Sequence, residues 1–286
     1  MKTFKVDVIE QELEKSPKVQ HKIQEQSQEI NDLRKTLTEV AKHQNVLDVE
    51  VDNSDNKIKF GVIGDTHFGS LYERIDFLRA YYQIAEQSGI ETILHCGDIL
   101  DGWKVYKGQE FELHARGFDE QMNWFQEQSE TLPKIKTLFI TGNHDISFRN
   151  IAGISVGKAL QSVVPHWQFI GQDIADITFT TKSERPFKVS LLHPGGGTAY
   201  ALSYRPQKII EQLEGGNKPH LLCIGNFHKS EFIPQYRNVA CLQCGCFQAQ
   251  TPFMLTKGLS AHMGGWLMDI TVGQYHKIKA EFISFF

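Results

Sequence analysis

Carboxylates, imidazoles and amides recur in this sequence just after short apolar runs. Phe60 to Ile63 leads into Gly64-Asp65-Thr66-His67, and Thr92 to Cys96 into Gly97-Asp98. Leu138 to Ile140 leads into Gly142-Asn143-His144-Asp145, Val189 to Leu192 into His193, and Leu221 to Ile224 into Gly225-Asn226-Phe227-His228. Each run is short and β-prone and ends in Gly or a metal-capable residue, which predicts five strands. In open α/β sheets, sites form outside the carboxyl ends of strands. These polar groups are therefore expected to converge on one pocket. Mixed oxygen and imidazole donors suit Mn²⁺, Fe or Zn²⁺ better than Ca²⁺, and Mn²⁺ is the expected activating ion.

The elements that must position them follow from periodicity. Ile75 to Ser88 has helical spacing with Gly89 as a stop, giving strand, helix, strand into Ile93 to Cys96. The pattern predicts a helix over Phe111 to Leu132, a strand over Lys134 to Ile140, and a helix over Gly153 to Val164. Strands are expected at Trp167 to Ile170, Ile177 to Thr181 and Phe187 to Leu192, where a second sheet begins. Tyr204 to Leu213 reads as a helix. Leu221 to Ile224, Val239 to Phe247 and Trp266 to Phe286 read as strands, the last with a turn near Gly273.

Residues 1–56 differ in character: they hold no Gly and no Trp and are rich in Gln, Glu and Lys. After Ser16 and Pro17, Val19, Ile23, Ile30, Leu33, Leu37, Val40 and Leu47 fall on a heptad seam, with Gln26 and Gln44 in polar slots. This predicts a helical segment that either forms a homo-oligomer through a coiled coil or folds back on its own domain. Asp52 to Asn56 breaks the pattern as a linker, leaving residues 57–286 as the domain that carries the polar blocks.

Composition narrows the class. A chain of 286 residues with 41% hydrophobic content has enough apolar material for a sizeable core. The net charge of −4 provides no global basic field of the kind a processive nuclease uses. No apolar run approaches membrane-spanning length and the polar N-terminus lacks a signal-peptide core, so no membrane association and a cytoplasmic location are expected. Five cysteines without a secretory signal are expected to be reduced thiols. Cys241, Cys244 and Cys246 alternate as strand residues packing near the site, with zinc ligation, aided by Cys223, as the lesser reading.

Taken together, Asp65-x-His67, Gly97-Asp98-x-x-Asp101, Gly142-Asn143-His144-Asp145, His193 and Gly225-x-x-His228 resemble the calcineurin-like metallophosphoesterase superfamily across roughly residues 57–286. The resemblance implies an αββα sandwich, two facing mixed sheets flanked by helices. It also implies two divalent metal ions clamping a phosphoryl group, with a hydroxide between them for in-line attack. Asp98 would bridge the metals. Asp65, His67 and His228 would complete the first site, and Asn143, His193 and Asn226 the second. His144 would serve the leaving-group oxygen, with Asp101 orienting its ring and Asp145 holding the turn.

One position departs from the family pattern. Asn226 stands where the last block usually carries its first His, which leaves open a tolerated ligand, a weak second site or a disabling His-to-Asn replacement. Gly102 stands where the phosphoprotein-phosphatase branch carries Arg. That favours a phosphodiester substrate, in a nucleic acid or nucleotide, over a phosphomonoester. A non-catalytic binding or assembly module on the same fold is the reading from a different class. Candidate substrate-binding residues are Arg149, Gly196 in the Pro194-to-Thr198 turn, Tyr204, Arg205 and Lys229, with Trp103, Lys104 and Tyr106 as base-stacking and phosphate-neutralising candidates.

Overall fold

The computed structural model describes residues 46–51, 56–182, 186–216 and 218–286. The heptad seam expected over residues 16 to 47 lies outside them except for its last member, Leu47. Leu47 falls in strand β1, Val46–Glu50, which pairs in parallel with β6, Ile174–Thr180. Leu47 and Val49 pack against the core, so this stretch belongs to a sheet rather than to the expected helix.

Two six-stranded sheets carry the domain. One has the order β12-β11-β2-β3-β4-β5. Its strands are Lys57–Ile63 (β2), Thr92–Cys96 (β3), Lys136–Thr141 (β4), Trp167–Gln172 (β5), Gly264–Thr271 (β11) and Lys277–Ser284 (β12). The other has the order β1-β6-β7-β8-β10-β9 and adds Pro186–Leu192 (β7), Leu221–Ile224 (β8), Ser230–Tyr236 (β9) and Val239–Cys244 (β10). β2, β3, β4 and β5 run parallel, as do β7, β8 and β10, so the carboxyl ends of β2, β3 and β4 lie together in one sheet and those of β7 and β8 in the other.

The period-two alternation of strand side chains accounts for the layers. Phe60 and Val62 of β2, Leu94 of β3 and Leu138 and Ile140 of β4 face inward, where they meet Ile177, Phe179, Val189, Leu191 and Leu242 of the other sheet. Phe60 and Phe179 stack across this core at 5.4 Å. Ile63, Ile93 and Phe139 face the opposite way and bury helices α1 (Ile75–Gln87), α2 (Phe118–Ser129), α3 (Asn143–Ala152) and α4 (Val156–Val163). On the outer face of the second sheet, Leu222, Ile224, Val239 and Cys241 pack against Ile210 of α5, Tyr204–Gln212. Strands covered on both faces read as continuous apolar runs, which is the pattern of the sequence. The result is the αββα sandwich.

Three expectations are corrected. The helix expected over Phe111 to Leu132 is shorter, because Gly117, at φ 81°, starts α2 after a 3₁₀ turn at Gln109–Phe111. The helix expected over Gly153 to Val164 starts later, as α4 at Val156, because Gly153 takes the left-handed conformation that ends α3, a helix not foreseen. β9 and a short helix α6, Pro252–Thr256, were not foreseen.

Candidate metal centre

Asp65, His67, Asp98, Asn226 and His228 all have positive φ, between 51° and 72°. Such backbone costs on the order of 1 kcal/mol per non-glycine residue and persists where the surroundings impose it. Here the imposition is a set of loop hydrogen bonds. Asp65 N donates to Gly97 O at 2.9 Å, His67 N to Asp98 O at 3.1 Å, Phe247 N to Asp65 O at 3.0 Å and His262 N to His228 O at 2.9 Å. The turns after β2, β3 and β8 thereby aim their side chains at one another.

The side chains meet as the sequence led us to expect. His67 and His228 approach Nε2 to Nε2 at 3.1 Å, and His228 Nε2 is 3.5 Å from Asp65 Oδ1. His193 Nε2 lies 3.2 Å from Asp98 Oδ2 and 3.1 Å from Asn143 Oδ1. Two overlapping triads result, Asp65-His67-His228 and Asp65-Asp98-His193, each with ligand-capable atoms within 4.8 Å of one another. A third, His67-Asp98-His144, brings the imidazole expected to serve the leaving group into the same cluster.

The donor set fits divalent cations. Buried carboxylates and imidazoles converge, and two ring nitrogens face each other where a cation would satisfy both lone pairs. Burial pushes the Asp65 carboxyl well up and outweighs the attraction of His193. Burial also disfavours the Asp98 carboxylate, but neighbouring His193 wins and holds it below the usual carboxylate range. Burial opposes the charged form of His193 too, yet Asp98 carries the imidazole up to about 10. The Asp98 carboxylate, buried 3.2 Å from the His193 ring, makes the pocket one that favours positive charge.

Glycines make room for this packing. A Cβ on Gly97, which sits at φ 92°, would lie 2.5 Å from His193 Nδ1. A Cβ on Gly225 would fall on the Cys96 carbonyl, and one on Gly142 on Asp98 Oδ1. His193 Nδ1 donates to that same Cys96 carbonyl at 2.7 Å, which presents Nε2 to the site.

Asp101 works differently from the expectation. Its carboxylate is 2.9 Å from His67 Nδ1 and 4.0 Å from His144 Nδ1, whereas its backbone carbonyl accepts from His144 Nδ1 at 2.5 Å. Asp101 therefore orients two imidazoles, one through each oxygen type. Burial opposes its charge, but His67 prevails and lowers its pKa. Gln248 and Gln109 donate to its two carboxylate oxygens, at 3.0 Å each. Gln248 was missed; its sequence signal was only its place just beyond the Cys241-to-Phe247 run. Asp145 accepts from the backbone of Gly142 in its own turn and also from Ile99 and Leu100, which joins the β3 turn to the β4 turn.

Asn226 is placed at the site, but its amide nitrogen is directed elsewhere. Nδ2 donates to Pro194 O at 2.7 Å and to Gly196 O at 2.9 Å, while its backbone N–H serves both Asp65 oxygens at 3.0 Å. The side chain thus tethers the loop after β7.

Of the substrate-binding candidates, Gly196 lines the cavity beside the centre and the other four do not. Arg149 bonds Gln172 in a separate polar depression that also holds Lys158. Tyr204 is exposed on α5. Arg205 donates to Gly195 O at 2.8 Å and covers Phe227, supporting the loop from outside. Lys229 is committed to Ser260, and burial lowers its pKa. Tyr106 lines the cavity, Trp103 packs against the outer core and Lys104 is exposed. The five cysteines are free and buried; Cys244, Cys96 and Cys223 lie in the inter-sheet core. Among the described residues no helix is long and apolar enough to cross a membrane.

The model of the calcineurin-like phosphoesterase family matches residues 58–219, and the chain belongs to that family. The match covers the blocks from Asp65 to His193 and stops short of Asn226 and His228. The chain is 29% identical over 242 residues to the DNA polymerase II small subunit of Halobacterium salinarum, covering 72% of this chain and 47% of that protein. It is 22% identical over 260 residues to the subunit of the same name from Methanothermobacter thermautotrophicus, covering 74% of this chain and 51% of that one. It thus spans about half the length of these relatives. Among solved structures, Vps29 of Entamoeba histolytica, complexed with zinc, is similar at 15% identity, TM-score 0.37, over 79% of this chain and 99% of that one.

Proposed function

We propose that this chain hydrolyses a phosphodiester in a nucleic acid or nucleotide, with His144 delivering the proton to the leaving oxygen. The observation that carries the reading is the His144 ring. Asp101 O fixes its Nδ1, the Asp101 carboxylate lies 4.0 Å away, and the ring faces the cavity that Asp98, Asn143 and His228 line. Asp65, His67, Asp98, Asn143, His193 and His228 would hold two divalent cations, Mn²⁺ in our reading, and these supply charge neutralisation of the phosphoryl oxygens and activation of water.

Gly102 supports a diester over a monoester. A Cβ there would fall on the His144 carbonyl and lie 2.7 Å from Ser147 Oγ, so an Arg clamp for a terminal phosphate has no space. The test is turnover of bis(p-nitrophenyl) phosphate and p-nitrophenyl phosphate by the chelator-stripped chain reloaded with Mn²⁺, Fe²⁺ or Zn²⁺. Diester turnover that falls about 10²–10⁴-fold in His144→Ala, with metal content unchanged, is the expected result.

The second reading is a subunit without turnover, favoured by relatives that are polymerase small subunits. Metal bound at the centre with no hydrolysis of either ester supports it. We further propose a cytoplasmic protein that self-associates through its N-terminal heptads. Light scattering on the full chain and on a Leu33→Lys, Leu37→Lys variant tests this, since an unchanged mass rules out the coiled coil.

A further inference from the structure

Beside the ligand cluster, the cavity has an aromatic wall that neither the metals nor the proton donor use. Tyr106, from the loop after β3, and Phe253, from α6, stack with centroids 4.3 Å apart and planes 21° apart. Tyr106 also lies edge-on to the His144 ring at 6.3 Å. Glu112 pins both halves: one carboxylate oxygen accepts from Tyr106 Oη at 2.8 Å and the other from Phe253 N at 3.3 Å. The phenol is therefore occupied away from the site. Burial and Glu112 together push its pKa up, which keeps it neutral. Met254 and Leu259 extend the apolar lining.

Position gives this wall a role. It adjoins the proton donor, so it faces the alcohol that departs and not the phosphoryl oxygens. The cavity holds about 510 Å³, within the range of sites that take one drug-sized ligand. The loop of Gly196, Gly197 and Thr198 lines another side.

We propose that the Tyr106–Phe253 wall is a specificity subsite for a single unpaired nucleobase on the leaving side of the scissile ester. The inference deepens the phosphodiesterase reading, on which the assignment of the leaving side rests. A base in a duplex has both faces stacked and cannot reach the wall unless it is extruded. An unstacked base offers a π-face of any sequence, and aromatic stacking gains about tenfold or more in affinity per base. The substrate class is thus a nucleotide ester or a single-stranded end rather than duplex interior.

The experiment is calorimetric binding of adenosine 5′-monophosphate and ribose 5-phosphate to the full chain loaded with Mn²⁺. The expected result is about tenfold tighter binding of the base-bearing ligand. Phe253→Ala should erase that preference and Phe253→Leu should keep part of it. Both should leave ribose 5-phosphate affinity unchanged, which also reports that the variants are folded. Equal affinities in the unmodified chain, or a preference untouched by Phe253→Ala, overturn the proposal. Diester hydrolysis without base preference defeats the wall alone. Base preference without any hydrolysis supports the wall and defeats the phosphodiesterase reading.

Discussion

The Asp101 carboxylate lies 2.9 Å from His67 Nδ1, across the gap between the β2 and β3 turns. A carboxylate this near Nδ1 electrostatically favours a proton on that nitrogen, which leaves the Nε2 lone pair to the ligand cluster. Asp101→Asn should therefore weaken metal binding about 10–100-fold, measured by competition with a fluorescent chelator. Unchanged metal affinity would mean that the contact does not tune His67.

Asn226 joins its turn to the Pro194-to-Thr198 loop through two amide hydrogen bonds. Asn226→Ala should release that loop, costing about 1–2 kcal/mol in denaturant stability and raising amide exchange there, with little change in metal content. Asn226→His gains an imidazole ligand but cannot make both bonds with one ring. It should retain the second metal through desalting better than the native chain while the loop exchanges faster. A loop that exchanges at the native rate in both variants would contradict the tether.

Gly97 borders His193 so closely that its missing Cβ is part of the site. Gly97→Ala adds strain at φ 92° and a contact 2.5 Å from His193 Nδ1. The expected cost is about 3 kcal/mol or more, read as a shifted urea midpoint, with metal binding lost in whatever remains folded. A midpoint within experimental error of the native one would refute this account of close packing.

His95 is buried behind the β2 turn and accepts no solvent. Thr66 Oγ1 donates to Ile99 O and so accepts from His95 Nε2, leaving Nδ1 without a partner. Burial drives the imidazole pKa down to about 3 from its ordinary 6.5. Because the folded value lies below the unfolded one, the stabilisation is complete above pH 6.5 and is lost as pH falls toward 3. The loss should be on the order of 5 kcal/mol across that window. His95→Gln should flatten the stability profile between pH 6 and 4, and an identical slope in both proteins would assign the acid sensitivity to other groups.

Much of the centre was legible because metal-capable residues followed β-prone runs in order. Asp65, His67, Asp98, Asn143, His193 and His228 each sit one to four residues beyond a strand, and chain direction alone puts parallel strand ends on one edge. Asp101 was legible as a site residue but not in its partner. Spacing of three from Asp98 fixes where the side chain starts, while the choice between His67 and His144 depends on how far the β2 and β3 turns approach. Arg149 and Lys229 show the reverse error. Nearness in sequence to a ligand suggested the site, but helix α3 turns Arg149 toward Gln172 and Lys229 is drawn to Ser260.

The sequence by itself determined most strands, though not β1 or β9, and the identity of the donors, because these depend on local periodicity and on residue chemistry, while the four layers came from the family resemblance those donor blocks carry. Tertiary structure alone decided three things. Gly102 has no space for an arginine because α3 packs its His144 carbonyl there, Asn226 is a tether because the β7 loop passes beside it, and Tyr106 meets Phe253 to wall the cavity. Each of these joins residues separated by tens of positions or more, and such contacts depend on how the sheets and loops pack rather than on any repeat along the chain.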